Sequence, residues 1–126
     1  MYKILIIDDD APLSRGYQDV FKREGWDASI AVNGQEGLKA VKQYKPDLIM
    51  VDMLMPVMGG VDFLKEYQKI KDTYPAKIIV ATNSQEPDES EMVVKQLGAL
   101  EYKRKTELGP RELVELIKKY LEPLPK

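Results

Sequence analysis

Short apolar runs alternate with stretches of helical period five times along this chain. Lys3 up to Asp8, Trp26 to Val32, Leu48 up to Asp52, Lys77 to Thr82 and Leu100 to Lys105 read as strands. Between them, Leu13, Tyr17, Val20 and Phe21 form the stripe of a first helix, with Pro12 near its start and Gly25 after its end. Asn33-Gly34 turns into a second helix with Leu38, Val41 and Tyr44 inward, stopped by Lys45-Pro46. Gly59-Gly60 opens a third, striped by Phe63, Leu64, Tyr67 and Ile70 and closed off by Tyr74-Pro75. Pro87 stands where a first-turn proline belongs, ahead of Val93, Val94, Leu97 and a Gly98 stop. The last helix starts at Gly109-Pro110, buries Leu113, Leu116, Ile117 and Tyr120, and ends by Pro123.

This βαβα order predicts an α/β fold: a doubly wound, five-stranded parallel sheet with helices on both faces. In the flavodoxin-like strand order 2-1-3-4-5, the crevice opens between strands one and three. Glu101, Lys103, Arg104 and Lys105 leave the fifth run little apolar surface. Charge of that kind stops an edge strand from pairing with another chain, so this strand belongs at an edge.

Composition narrows the chemistry. The 126 residues fit one domain, 1–126 with a core over 3–121, and leave no room for an output domain. With 19 basic residues against 21 acidic and a net charge of −2, no global field favours nucleic acid or an anionic membrane. The absence of Cys and His removes Ser-His and Cys-His nucleophile pairs, thiolate redox chemistry and ordinary zinc sites. There is no secretory leader and no apolar run of the ~18 residues that a membrane span needs, so the expected location is the cytoplasm.

Carboxylate, hydroxyl and Lys chemistry remain, and they collect at strand ends. Asp8 and Asp9 follow strand one, Asp52 follows strand three, Thr82 ends strand four and Lys105 ends strand five. Polar groups beyond the carboxyl ends of parallel strands converge on one crevice. Carboxylates about 4 Å apart repel by roughly 4 kcal/mol per pair at an effective dielectric of about 20, which a hard cation such as Mg²⁺ relieves. An acidic crevice with vacant metal positions suits phosphoryl transfer, with one carboxylate as nucleophile.

Across residues 3 to 121 the chain resembles the receiver domain of two-component response regulators. The likeness rests on Ile6-Ile7-Asp8-Asp9, on Asp52-Met-Leu-Met55-Pro56-Val-Met58-Gly-Gly60, on Val80-Ala81-Thr82, and on Tyr102 and Lys105. It implies that Asp52 is the phosphoacceptor and Asp9 the direct ligand of Mg²⁺. Asp8 holds metal-bound water, and Leu54 ligates through its backbone carbonyl. It further implies that Thr82 turns to the phosphoryl group, that Lys105 pairs with it, and that Tyr102 moves inward as Thr82 does. The surface of the fourth helix, fifth strand and fifth helix would then switch between two arrangements. A histidine kinase or phosphohistidine transfer protein would supply the phosphoryl group, and a downstream protein would read the surface; neither nucleic acid nor membrane is expected as a direct partner.

Three positions depart from the family pattern: Thr106 where proline is usual, Asn83 where a smaller residue is common, and Gly59 where Asp or Asn is usual, the last read as loop conformation only. The first two, with the polar fifth strand, motivate an alternative, a degenerate receiver that binds partners without phosphorylation. Asp8-x-Asp10 motivates another, a phosphohydrolase of the haloacid dehalogenase type with Asp8 as nucleophile. Flavin binding has less support, since no Ser/Thr/Gly-rich phosphate loop follows strand one. Each site residue also has a plain structural reading. Asp8-Asp9-Asp10 suits helix N-cap chemistry, Asp10 above all, Asp52 a turn, Thr82 a strand-end hydroxyl, Lys103-Arg104-Lys105 a solvated edge run, Tyr102 an edge anchor, and Met55 and Met58 loop packing.

Overall fold

Because every strand of a parallel sheet is covered on both faces, its strands are apolar on both sides. Ile4, Leu5, Ile6 and Ile7 are all fully buried, as are Leu48, Ile49 and Val51. A computed structural model of the chain describes residues 1–83 and 89–122. Its elements run β1 (Lys3–Ile7), α1 (Ala11–Arg23), β2 (Asp27–Ala31), α2 (Gly34–Tyr44), β3 (Leu48–Val51), α3 (Gly60–Tyr67), β4 (Lys77–Thr82), α4 (Glu89–Gln96), β5 (Ala99–Arg104) and α5 (Pro110–Leu121). One 3₁₀ turn, Lys105–Glu107, lies between β5 and α5.

The strands form one parallel sheet in the order β2-β1-β3-β4-β5. This is the flavodoxin-like architecture expected from the alternation, with charged β5 at an edge. Strand alternation divides the core in two. Ile4, Ile6, Met50 and Ile79 pack with Phe21 of α1 and Leu113 and Ile117 of α5 on one face. Leu5, Ile7, Ile49 and Val80 pack with Val41 of α2, Phe63 and Leu64 of α3 and Val94 of α4 on the other.

Helix ends follow the local chemistry. The Asp10 carboxylate accepts the Leu13 N–H at 3.1 Å at the start of α1, and the Asn33 side chain accepts the Glu36 N–H at 2.9 Å at the start of α2. Gly25, just past α1, takes φ +83.

Several boundaries differ from the periodicity. Trp26 precedes β2 rather than opening it: the ring packs on Phe21 at 5.9 Å and its Nε1–H donates to Glu122 at 3.1 Å. Val32 is exposed beyond the end of β2. Lys105 leaves β5 for the 3₁₀ turn. Ile70 and Leu97 pack against the core from turns just past α3 and α4, while Val93 stays exposed, because only Val94 of that pair faces the sheet. Pro87 and Pro123 lie outside the described residues.

Gly16 sits within α1 with nothing within 4 Å of the place a Cβ would occupy. Mid-helix glycine costs about 0.5–1 kcal/mol relative to alanine. Gly16→Ala is therefore expected to raise stability by about that amount, read as a higher urea midpoint at unchanged slope.

Candidate functional site

Three pairings bring the strand ends level. Ile7 pairs with Val51, Val51 with Val80 and Val80 with Tyr102, so Asp8 and Asp52 leave the sheet at the same height. Backbone pairing continues to both acids, with Asp8 N–H donating to the Ala31 carbonyl at 3.0 Å and Asp52 N–H to the Ile7 carbonyl at 2.9 Å. Asp8, Asp9, Asp10, Asp52, Leu54, Thr82, Asn83 and Lys105 line one crevice of about 360 Å³. It opens where the strand order reverses, between β1 and β3.

Oxygens of Asp8, Asp9 and Asp52 all lie within 4.8 Å of one another. Asp8 and Asp52 are buried, while Asp9 is exposed at the mouth. Lys105, only 9% exposed, donates from Nζ to Asp8 Oδ2 at 2.5 Å and stands 3.6 Å from Asp52 Oδ2. Asp8 Oδ1 accepts the Asp10 N–H at 3.0 Å, and Asp52 Oδ1 accepts the Met53 N–H at 2.9 Å. One ammonium against three clustered carboxylates leaves an excess of two negative charges. That donor set fits a hard divalent cation, which takes a few carboxylate oxygens and retains several waters.

Burial pushes the Asp52 carboxyl above the ordinary carboxylate range, Asp8 and Asp9 add to the rise, and together they outweigh Lys105 and the Met53 N–H. For Lys105, burial acts downward, yet the hydrogen bond to Asp8 and the charge of Asp52 hold the ammonium above its usual range. Tyr17 of α1 feels the same set. Burial raises its hydroxyl, and Asp8, Asp10 and Asp52 add to this against the opposing effect of Lys105.

The predicted residues therefore meet, apart from Tyr102. Thr82 is fully buried at the end of β4 and lines the crevice, and Leu54 lines it with its side chain 69% exposed. Tyr102 is in register with Val80 and packs with the core on the α3 and α4 face rather than in the crevice lining. Thr82 stands two residues beyond Val80, so it and Tyr102 share one face of the sheet on adjacent strands. Asp10 caps α1, as its plain reading had it, although it also borders the crevice. Met55 and Met58 pack against the core.

Thr106 does not displace Lys105, whose ammonium reaches both acids, and exposed Asn83 borders the crevice without filling it. Gly59 corrects a reading: its φ is −82, so its conformational freedom is not what the position uses. A Cβ there would lie 2.9 Å from the Met53 carbonyl oxygen, and one at Gly60 would lie 2.5 Å from that of Asp52. The left-handed residue in this loop is Val57, at φ +69, which no sequence signal marks because a β-branched side chain disfavours that region.

Comparison with known proteins is consistent across three kinds of match. The family model described as the response regulator receiver domain matches residues 4–118. Sporulation initiation phosphotransferase F of Bacillus subtilis (strain 168) is 34% identical over 119 residues, covering 94% of this chain and 93% of that protein. The alkaline phosphatase synthesis transcriptional regulatory protein PhoP of the same organism is 30% identical over 119 residues; the match spans 94% of this chain but only 48% of that relative's length. The crystal structure of a CheY-like response regulator receiver domain protein from Methanospirillum hungatei JF-1 superposes with a TM-score of 0.86 at 28% identity, covering 94% of this chain and 92% of that one.

A carboxyl raised in the folded protein binds its proton more tightly there than in the unfolded chain. Stability is then lost as pH rises from about 4, the ordinary carboxyl range, through the raised value. Metal-free Asp52→Asn, with no charge to bury, is expected to exceed wild type in stability at about pH 7, by on the order of 1 kcal/mol. Urea titrations at several pH values check this, with the gain vanishing near about pH 3.

Proposed function

The chain belongs to the response regulator receiver family of two-component signalling, and on that premise we propose that Asp52 accepts a phosphoryl group in a Mg²⁺-dependent reaction. Receiver domains act as signalling modules rather than conventional enzymes, and exchange with histidine kinases or phosphotransfer proteins on one side and downstream partners on the other. The donor for this chain is a phosphohistidine protein. The chain has no histidine and cannot supply that donor itself.

The observation that carries the reading is the buried Asp52 carboxylate, grouped with Asp8 and Asp9 and 3.6 Å from the Lys105 ammonium. In the transfer, an Asp52 oxygen bonds phosphorus while the bond from phosphorus to the donor imidazole nitrogen breaks, its electron pair returning to that nitrogen. Asp8, Asp9, Asp52 and the Leu54 carbonyl would hold Mg²⁺ at the crevice. When bound, the ion offsets the excess negative charge and stabilises the transferring phosphoryl oxygens. Sporulation initiation phosphotransferase F, by its name a phosphotransferase, agrees with this chemistry.

Phosphorylation replaces one carboxylate with a group of roughly −1.5 to −2 charge, so the local ion pairs rearrange. Lys105 shifts from Asp8 toward the new oxygens, and the Thr82 hydroxyl turns to bond them. Tyr102, on the same sheet face as Thr82, follows inward, and the α4, β5 and α5 surface changes for a downstream protein. Such coupling is typically about 1–3 kcal/mol, or roughly 5- to 150-fold in partner affinity.

Intact-mass spectrometry after incubation with a small acyl phosphate tests the assignment. One phosphoryl increment that needs Mg²⁺ and is absent from folded Asp52→Asn is expected. Labelling that persists in Asp52→Asn sinks the assignment. No increment in wild type despite Mg²⁺ binding favours a receiver that works without phosphorylation.

A further inference from the structure

The tip of the loop that follows Asp52 is shaped by its backbone, while Met55 and Met58 pack against the core. Leu54 is 69% exposed and Val57 is 77% exposed, so burial anchors neither. At the base of the loop, Gly60 N–H donates to the Met53 carbonyl at 3.0 Å. At the tip, Met58 N–H donates to the Pro56 carbonyl at 2.7 Å across Val57 at φ +69. A hydrogen bond between residues i and i+2 around a left-handed φ marks a γ-turn of the strained kind, and valine is poorly suited to its centre.

A strained turn persists when its surroundings over-determine it. Here the surroundings are the core under Met55 and Met58 and the first residue of α2. Gly34 N–H donates to the Met58 carbonyl at 2.9 Å, and among the described residues this is the one backbone hydrogen bond that reaches residues 54–58 from another element. The approach requires glycine, because a Cβ on Gly34 would lie 2.8 Å from the Met58 carbonyl oxygen and 2.7 Å from its Cγ. The side chain could move aside, but the carbonyl is fixed by the loop.

We propose that Gly34 is a positioning residue for the divalent cation: by seating α2 against Met58 it holds the strained turn, and thereby sets where the Leu54 carbonyl stands relative to Asp8, Asp9 and Asp52. This inference rests on the reading of the crevice as a Mg²⁺ site. Both limbs of the loop meet with no room for side chains at Gly59 and Gly60, so a displacement at the tip is transmitted toward residue 54 rather than absorbed at the base. The β2–α2 turn becomes part of the metal site without contacting it.

Mg²⁺ titration by calorimetry, with metal-free thermal unfolding measured in parallel, separates positioning from structure. Gly34→Ala is expected to weaken Mg²⁺ binding about tenfold, the scale of changes behind a ligand shell. Gly37→Ala, three residues along α2, meets the Ile7 side chain at 2.5 Å instead. It should lower the melting temperature while leaving Mg²⁺ affinity within about twofold. Val57→Gly supplies an arm that does not depend on Gly34→Ala folding. It relieves the left-handed valine, so the metal-free protein melts higher, yet a freer loop binds Mg²⁺ about threefold more weakly. Unchanged affinity in both folded Gly34→Ala and Val57→Gly overturns the inference while leaving the metal site standing. Wild type that binds no Mg²⁺, or binds it equally after Asp9→Asn and Asp52→Asn, overturns the site reading and this inference together.

Discussion

The Lys105 ammonium, 2.5 Å from Asp8 and 3.6 Å from Asp52, is the interaction on which the arrangement depends. Two buried carboxylates at the ends of neighbouring strands repel strongly, and they cannot move apart because the parallel pairing of β1 with β3 sets their height. Lys105 offsets part of that repulsion from the far edge of the sheet. The compensation is incomplete, since burial and the neighbouring acids still hold the Asp52 carboxyl above its ordinary range. A site left with excess negative charge favours a cation, and a group that can be re-paired by one moving ammonium is suited to signalling.

That ammonium is in turn held by the edge of the sheet and by α5. Glu101 of β5 accepts a hydrogen bond from Tyr120 of α5, whose hydroxyl is pushed up to about 12 by this hydrogen bond, burial and the carboxylate charge. At the other end of the sheet, Trp26 and Glu24 tie α5 to the α1–β2 side through Glu122 and Lys118. Lys118 and Glu24, 3.1 Å apart, are both partly exposed, and a pair of that kind contributes little. The Trp26–Glu122 contact is better shielded, because the indole is buried against Phe21. The last helix is thus joined both to β5 and to the α1–β2 side, while α4 packs through Val94 on the other face of the sheet.

The loop behind Asp52 illustrates a different constraint, that of space. Gly34, Gly59 and Gly60 each face a backbone carbonyl too closely for a Cβ, and the left-handed conformation falls instead on Val57. The glycines serve close approach and the valine bears the strain. Strain held by neighbours beside the carboxylate proposed as phosphoacceptor is a form of preorganisation, and it ties the start of α2 to the end of β3.

Much of this was legible in the sequence because it is local. Apolar runs marked the strands and a 3.6-residue period the helices, Asp10 marked a cap and Asn33-Gly34 a turn into a helix, and acids ending apolar runs marked the crevice, since residues beyond parallel strands have one place to go. The charge of the fifth run likewise placed it at the edge. What tertiary structure alone decided is non-local. Lys105 faces inward from a 3₁₀ turn although its neighbours read as a solvated run, because two buried carboxylates draw it in. Trp26 turns to Glu122, 96 residues away, rather than pairing in β2. Val57 is left-handed because Pro56, Met58 and Gly34 close hydrogen bonds around it, and no propensity encodes a conformation imposed by partners from another element.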